Sequence, residues 1–117
     1  MTKKFKLSAS EIRDIARGYG GCIATDMITV DGERVRFMYR EEPSNDADSG
    51  WRFTSGYESD DYMNDADNHE VYDVNTIANY DPDIVPFLDA PVWAAFERPD
   101  GDRFVQVAFL PPSETLH

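Results

Sequence analysis

Residues 22–40 read CIATDMITVDGERVRFMYR, and how this stretch folds back on itself sets the architecture expected for the chain. Cys22 to Val30 is β-prone, Asp31-Gly32 is the strongest short hairpin signal, and Glu33 to Arg40 resumes in alternation. A two-residue turn pairs Val30 with Glu33, Ile28 with Val35, Asp26 with Phe37 and Ala24 with Tyr39, placing most of the large apolar groups on one face. Arg34, Arg36 and Arg40 then share the opposite face, beside Thr29, Met27 and Ile23, where they are solvated or covered by something acidic.

Upstream, Ser8-Ala9-Ser10-Glu11 has capping-box spacing, and Ile12, Ile15 and Ala16 recur at helical spacing until Gly18, which predicts one short amphipathic helix. Downstream, 41–50 reads as a polar loop, and Trp51 to Thr54 as a short third strand ended by Ser55-Gly56. The acidic, aromatic-dotted stretch Tyr57 to Asp73 has no clean period and reads as mainly irregular with a helical turn. Val74 to Tyr80 and Asp83 to Leu88 predict two short helical pieces around Pro82, which suits a helix start. Val92 to Glu97 and Arg103 to Leu110, joined by Pro99-Asp100-Gly101, form a second hairpin, apolar on both faces as at the centre of a covered sheet. The expected fold is α+β, a mainly antiparallel sheet of about five strands with a few short helices.

At 117 residues, 41% of them hydrophobic, the chain suits a single domain, 1–117, able to fill one core. Its formal charge of -12 disfavours nucleic acid as a partner, because phosphate backbones repel such a surface. The excess is concentrated: residues 41–90 hold 14 carboxylates and one cation, Arg52. No apolar run approaches the roughly 20 residues of a membrane span, and neither a signal peptide nor a transit peptide is visible. A cytoplasmic location is expected, which the single cysteine, Cys22, suits.

Tests for chemistry return little. EF-hand spacing fails from Asp65, where Glu70 replaces the required glycine, and from Asp46, where Gly50, Trp51 and Tyr57 occupy the remaining key positions. A non-standard cation site from Asp60, Asp61, Asp65 and Asp67 remains as an alternative to a solvated acidic loop. Nucleophilic catalysis would require Cys22 and His69 to meet, since no Gly-x-Ser-x-Gly elbow occurs. Gly18-Tyr19-Gly20-Gly21 follows a helical pattern instead of opening one, so no phosphate-cradling loop is indicated. No cofactor or metal is called for, and the chain does not read as an enzyme.

One run carries a more specific signal. Val35-Arg36-Phe37-Met38-Tyr39-Arg40-Glu41-Glu42-Pro43, followed by Asp48-Ser49-Gly50-Trp51-Arg52-Phe53-Thr54-Ser55-Gly56-Tyr57-Glu58, resembles immunity protein family thirty-three of bacterial polymorphic toxin systems. The likeness extends from about Gly21 to Phe96, with Asp60 to Asp67 as an extra acidic stretch. It implies a non-enzymatic protein that neutralises a toxin by binding it.

The residues themselves leave two readings of this run. Asp48-Ser49-Gly50 suits an Asx-type turn that either seats Trp51 in the core or presents Trp51, Tyr57 and Glu58 to a partner. Arg40 is expected in an ion pair with Asp48 or Glu58. The candidate partner-binding residues are Tyr39, Arg40, Asp48, Trp51, Tyr57, Glu58, Asp60, Asp61, Asp65 and Asp67, facing a protein with a basic surface. The alternative is a small ligand or cation held near Tyr39, Arg40, Trp51 and Glu58.

Overall fold

The computed structural model describes residues 3–99 and 103–108. Among the described residues, six strands form one sheet: β1 (Gly21–Thr25), β2 (Phe37–Arg40), β3 (Asp48–Thr54), β4 (His69–Asp73), β5 (Ala95–Glu97) and β6 (Val105–Val107), in the order β4-β1-β3-β2-β5-β6. All neighbours are antiparallel except β1 and β3, which run parallel. With a few short helices, this is the α+β class that the sequence indicates, with one strand more.

The hairpin expected over 22–40 does not form. After Thr25 the chain turns into a short helix, α1 (Asp26–Thr29), and Gly32, at φ 79°, closes it: the Glu33 amide donates to Met27 O at 2.8 Å. Asp-Gly serves a left-handed helix end as readily as a tight hairpin, and here the helix wins because it buries Ile28 and Thr29. β1 pairs instead with β3 and β4, and β2 with β3 and β5.

The N-terminal helix is also absent. The Ser8–Glu11 capping box is present, but only a single 3-10 turn, Ala9–Glu11, follows it, and Ile12 is already extended. Asparagine side chains take the backbone groups a helix would have used. Asn75 Oδ1 accepts from the amides of Ile15 and Ala16, both at 2.8 Å, and Asn75 Nδ2 donates to Arg13 O.

The segment 57–73 is more regular than expected, holding α2 (Asp60–Asn64), a 3-10 turn (Ala66–Asn68) and β4. The helical pieces around Pro82 match expectation. Asp73 caps α3 (Val74–Tyr80), Asp81 caps the 3-10 stretch Pro82–Phe87, and Val74, Ile77 and Ala78 face inward at helical spacing. β5 and β6 pair as a hairpin, but β6 lies at the sheet edge and is partly exposed, so it is not central. Asp100 and Gly101 of its turn and the stretch beyond Ala108 lie outside the described residues.

One face of the sheet is the core. Cys22, Ala24, Met38, Trp51, Phe53 and Phe96 pack there against Ile28, Val74, Ile77, Ile84 and Leu88. Trp51 stacks on Phe53 with ring centroids 6.1 Å apart, and its indole N–H donates to Leu88 O at 3.1 Å. Among the described residues, no helix is long and apolar enough to cross a membrane.

Candidate functional site

Residues paired across a sheet point to the same side, so the register defines a second face opposite the core. Arg52 lies there between Ile23 on β1 and Tyr39 on β2; Val71, paired with Ile23, and Phe37, paired with Thr54, share the face. Val71 is 74% exposed and Val105, opposite Glu97 near the far edge, is 44% exposed. Val71 on β4 and Val105 on β6 thus stand on the two edge strands of the sheet, on the same face.

Arg52 anchors this face. Its Nη1 and Nη2 donate to the two carboxylate oxygens of Asp48, at 2.9 and 2.8 Å, and its Nε donates to Glu41. The Arg52 guanidinium holds the Asp48 carboxyl well below the usual carboxylate range, against the effect of burial. Burial opposes the charge on Arg52, but hydrogen bonds to Asp48 and Glu41 outweigh it and raise its pKa. The one cation of residues 41–90 is therefore consumed by two carboxylates. A cleft of about 610 Å³ opens beside the pair, lined by residues that include Gly21, Ile23, Ser44 and Val71. Tyr39 and Arg52 also border a smaller recess with Met63 of α2 and His69, so the acidic segment adjoins the same face.

The bulge that positions Asp48 depends on Gly50. Between Gly21 and Ile23 on β1 the partner strand advances from Asp48 to Arg52, and Gly50, at φ 89°, absorbs the excess. A Cβ at Gly50 would lie 2.2 Å from Glu41 O. The Asx-type turn read from the sequence is present: the Gly50 amide donates to Asp48 Oδ1 at 3.0 Å.

The acidic residues 60–67 have local structural reasons to be where they are. Ser59 caps α2 by accepting from the Tyr62 amide, and Asp60 and Asp61 occupy its first turn, where negative charge is favourable. Asp65 caps the next turn through the Asp67 amide. All four aspartates are exposed, and among the described residues none forms an ion pair. No group of three or more His, Cys, Asp or Glu side chains among the described residues is arranged to hold a metal.

The remaining candidates separate. Trp51 is 0% exposed and belongs to the core. Arg40 is not in the expected ion pair: it donates to the carbonyls of Ser49 at 2.9 Å and Ala90 at 2.7 Å and lies over the Trp51 ring. Asp48 is taken by Arg52. Glu58 closes the Ser55-Gly56 turn, accepting from both amides and from the Thr25 hydroxyl. Burial works against its charge, but these bonds lower its pKa overall. Tyr57 is 60% exposed, beside Arg36. Tyr39 and Trp51 occupy opposite faces of the sheet, so the four residues suggested for a small ligand do not line one pocket.

Cys22 and His69 are also apart. Cys22 pairs with Tyr72 on the core side, three registers from the Thr25–His69 pair, and burial pushes its thiol pKa up, away from reactivity. Val71, Met63 and the β4 face were missed from sequence because acidic neighbours mask the alternation through His69-Glu70-Val71-Tyr72-Asp73.

The Immunity protein Imm33 domain model matches residues 22–108, which take in all six strands but for Gly21. The chain belongs to this immunity protein family. No curated protein and no solved structure matches it.

Proposed function

We propose that the protein neutralises a cognate toxin by binding it, with no catalytic step, through the second face of the sheet and its acidic border. The observation that carries this reading is the combination of exposed Val71 and half-buried Tyr39 with Met63 and His69 of the acidic segment at their border, a segment whose Asp60, Asp61, Asp65 and Asp67 are exposed and form no ion pair among the described residues. An apolar centre with a charged rim is the anatomy of a protein interface, and the sign of the rim selects a basic partner.

In this reading Tyr39, Tyr57 and the four aspartates touch the toxin, and Arg52, held by Asp48 and Glu41, orders the centre of the face. Arg40, Trp51 and Glu58 position the strands and the turn beneath. The cleft beside Arg52 would take a side chain from the partner.

Where the neighbouring gene encodes a toxin domain, co-expression with that domain is the test. Restored growth, and a complex that dissociates as salt is raised, are expected. Continued toxicity with both proteins folded and present contradicts the role.

A further inference from the structure

β4 is an edge strand of the sheet, and half of its backbone groups are used. Its register with β1 is unbroken over five pairs, from Gly21 opposite Asp73 to Thr25 opposite His69. The Val74 amide donates to Gly20 O at 2.9 Å, and the Gly21 amide turns the other way, to Ala47 O at 2.7 Å. Antiparallel ladders bond at every second residue, so Cys22–Tyr72 and Ala24–Glu70 exchange bonds, while His69, Val71 and Asp73 turn their backbone groups outward. Among the described residues, no backbone group meets these outward amides and carbonyls. Val71, at the centre of the strand, is 74% exposed.

An open row of this kind is a template for another strand, and proteins ordinarily blunt it with proline, lysine or a bulge. His69-Glu70-Val71-Tyr72-Asp73 has none of these. Its side chains instead select the strand it accepts. When a second copy pairs antiparallel with Val71 opposite Val71, His69 faces Asp73 and Glu70 faces Tyr72, each twice. Every outward backbone group of β4 finds a partner in this register. Sliding by two residues, the least shift that keeps the backbone phase, sets Glu70 against Glu70 in one direction and leaves His69 opposite α3 in the other. Asp73 accepts from the Asn75 amide through Oδ1, which leaves its other oxygen for His69 of the second copy.

We propose that two copies of this chain associate edge to edge through β4, antiparallel about Val71, joining their sheets into one. The occupant is a second copy because the edge complements itself: the register that satisfies its backbone is also the one that sets no carboxylate against another. A contact of five residue pairs belongs to the weak, transient class of interface. Each copy carries a net charge of -12, so repulsion opposes association until salt screens it. That salt dependence is opposite in sign to the one expected for binding a basic toxin, so the two readings fail separately.

The test is sedimentation equilibrium of the intact protein from micromolar to millimolar concentration, at low and high salt, with amide hydrogen exchange at both ends of the range. A mass rising toward twice that of the chain is expected, more steeply at high salt, with exchange slowed at His69, Val71 and Asp73. Val71→Pro removes an amide that β1 does not use and should weaken association at least tenfold. Should that variant fold poorly, Val71→Glu, which sets two carboxylates face to face, reads the same loss. A mass that stays at one chain throughout overturns the proposal, as does a dimer that neither substitution weakens or that slows amides only elsewhere. Monomers whose β4 amides slow only when a toxin domain that the protein neutralises is added give the edge to an extended segment of that toxin, and overturn it as well.

Discussion

Arg52 grips Asp48 with both terminal nitrogens, at 2.9 and 2.8 Å, across the bulge that separates them by four residues in β3. Both side chains are largely buried, so removing one partner leaves the other charge poorly satisfied. Asp48→Asn is expected to lower stability by about 2–3 kcal/mol at neutral pH. The folded-state pKa of Asp48 lies below its unfolded value of about 3.9. This stabilisation is therefore complete above about pH 4 and is lost as pH falls through the folded value. Urea unfolding of both proteins at pH 7 and pH 3 should show the gap narrowing; a gap unchanged at pH 3 contradicts the assignment.

Gly50 and Gly32 both have positive φ, but their surroundings differ. A Cβ at Gly50 meets the Glu41 carbonyl at 2.2 Å, whereas one at Gly32 meets only the flexible Lys6 side chain at 3.2 Å or more. Gly32→Ala should cost the ordinary left-handed penalty of about 1–2 kcal/mol. Gly50→Ala adds a backbone clash and should cost at least twice as much, measured by denaturant midpoint. Equal losses would mean that the bulge relaxes freely.

Asn75 substitutes for a helix in the N-terminal segment. Asn75→Ala leaves the Ile15 and Ala16 amides without their acceptor, and a loss of about 2 kcal/mol is expected. Hydrogen exchange locates the effect: both amides should exchange faster than other amides of the molecule respond. Unchanged protection at Ile15 and Ala16 would show that other contacts hold the segment.

What the sequence conveyed follows from how local each signal is. Pro82 marks a helix start through its own fixed backbone angle, and the helical pieces around it were legible for that reason. Asp31-Gly32 is equally local but ambiguous, and only the parallel pairing of β1 with β3, 27 residues apart at Gly21 and Asp48, decides it for a helix end. Ile12, Ile15 and Ala16 have helical spacing, yet Asn75 claims the amides of Ile15 and Ala16 and Asn79 that of Arg13, from about 60 residues away. At the candidate site the Asp48-Ser49-Gly50 turn was legible. The seating of Trp51 in the core and the choice of Arg52 over Arg40 as partner of Asp48 were not, because each depends on which sheet face a residue takes. The acids divide in the same way: Glu41, Asp48, Asp81 and Asp83 serve internal arginines, while Asp60, Asp61, Asp65 and Asp67 stay exposed.

That division isolates the charge available to a partner, and reversing it is the decisive measurement. Asp60, Asp61, Asp65 and Asp67 are replaced together by lysine, and affinity for a toxin domain that the unaltered protein neutralises is measured at low and high salt. The exposed positions predict a variant that still folds, with a melting temperature lowered by the lost Asp65 cap and by cations in the first turn of α2. Its affinity should fall at least about a hundredfold at low salt, with the difference shrinking as salt screens the rim. A folded variant that binds as tightly as the original at every salt concentration would contradict the docking of this acidic border on a basic toxin surface.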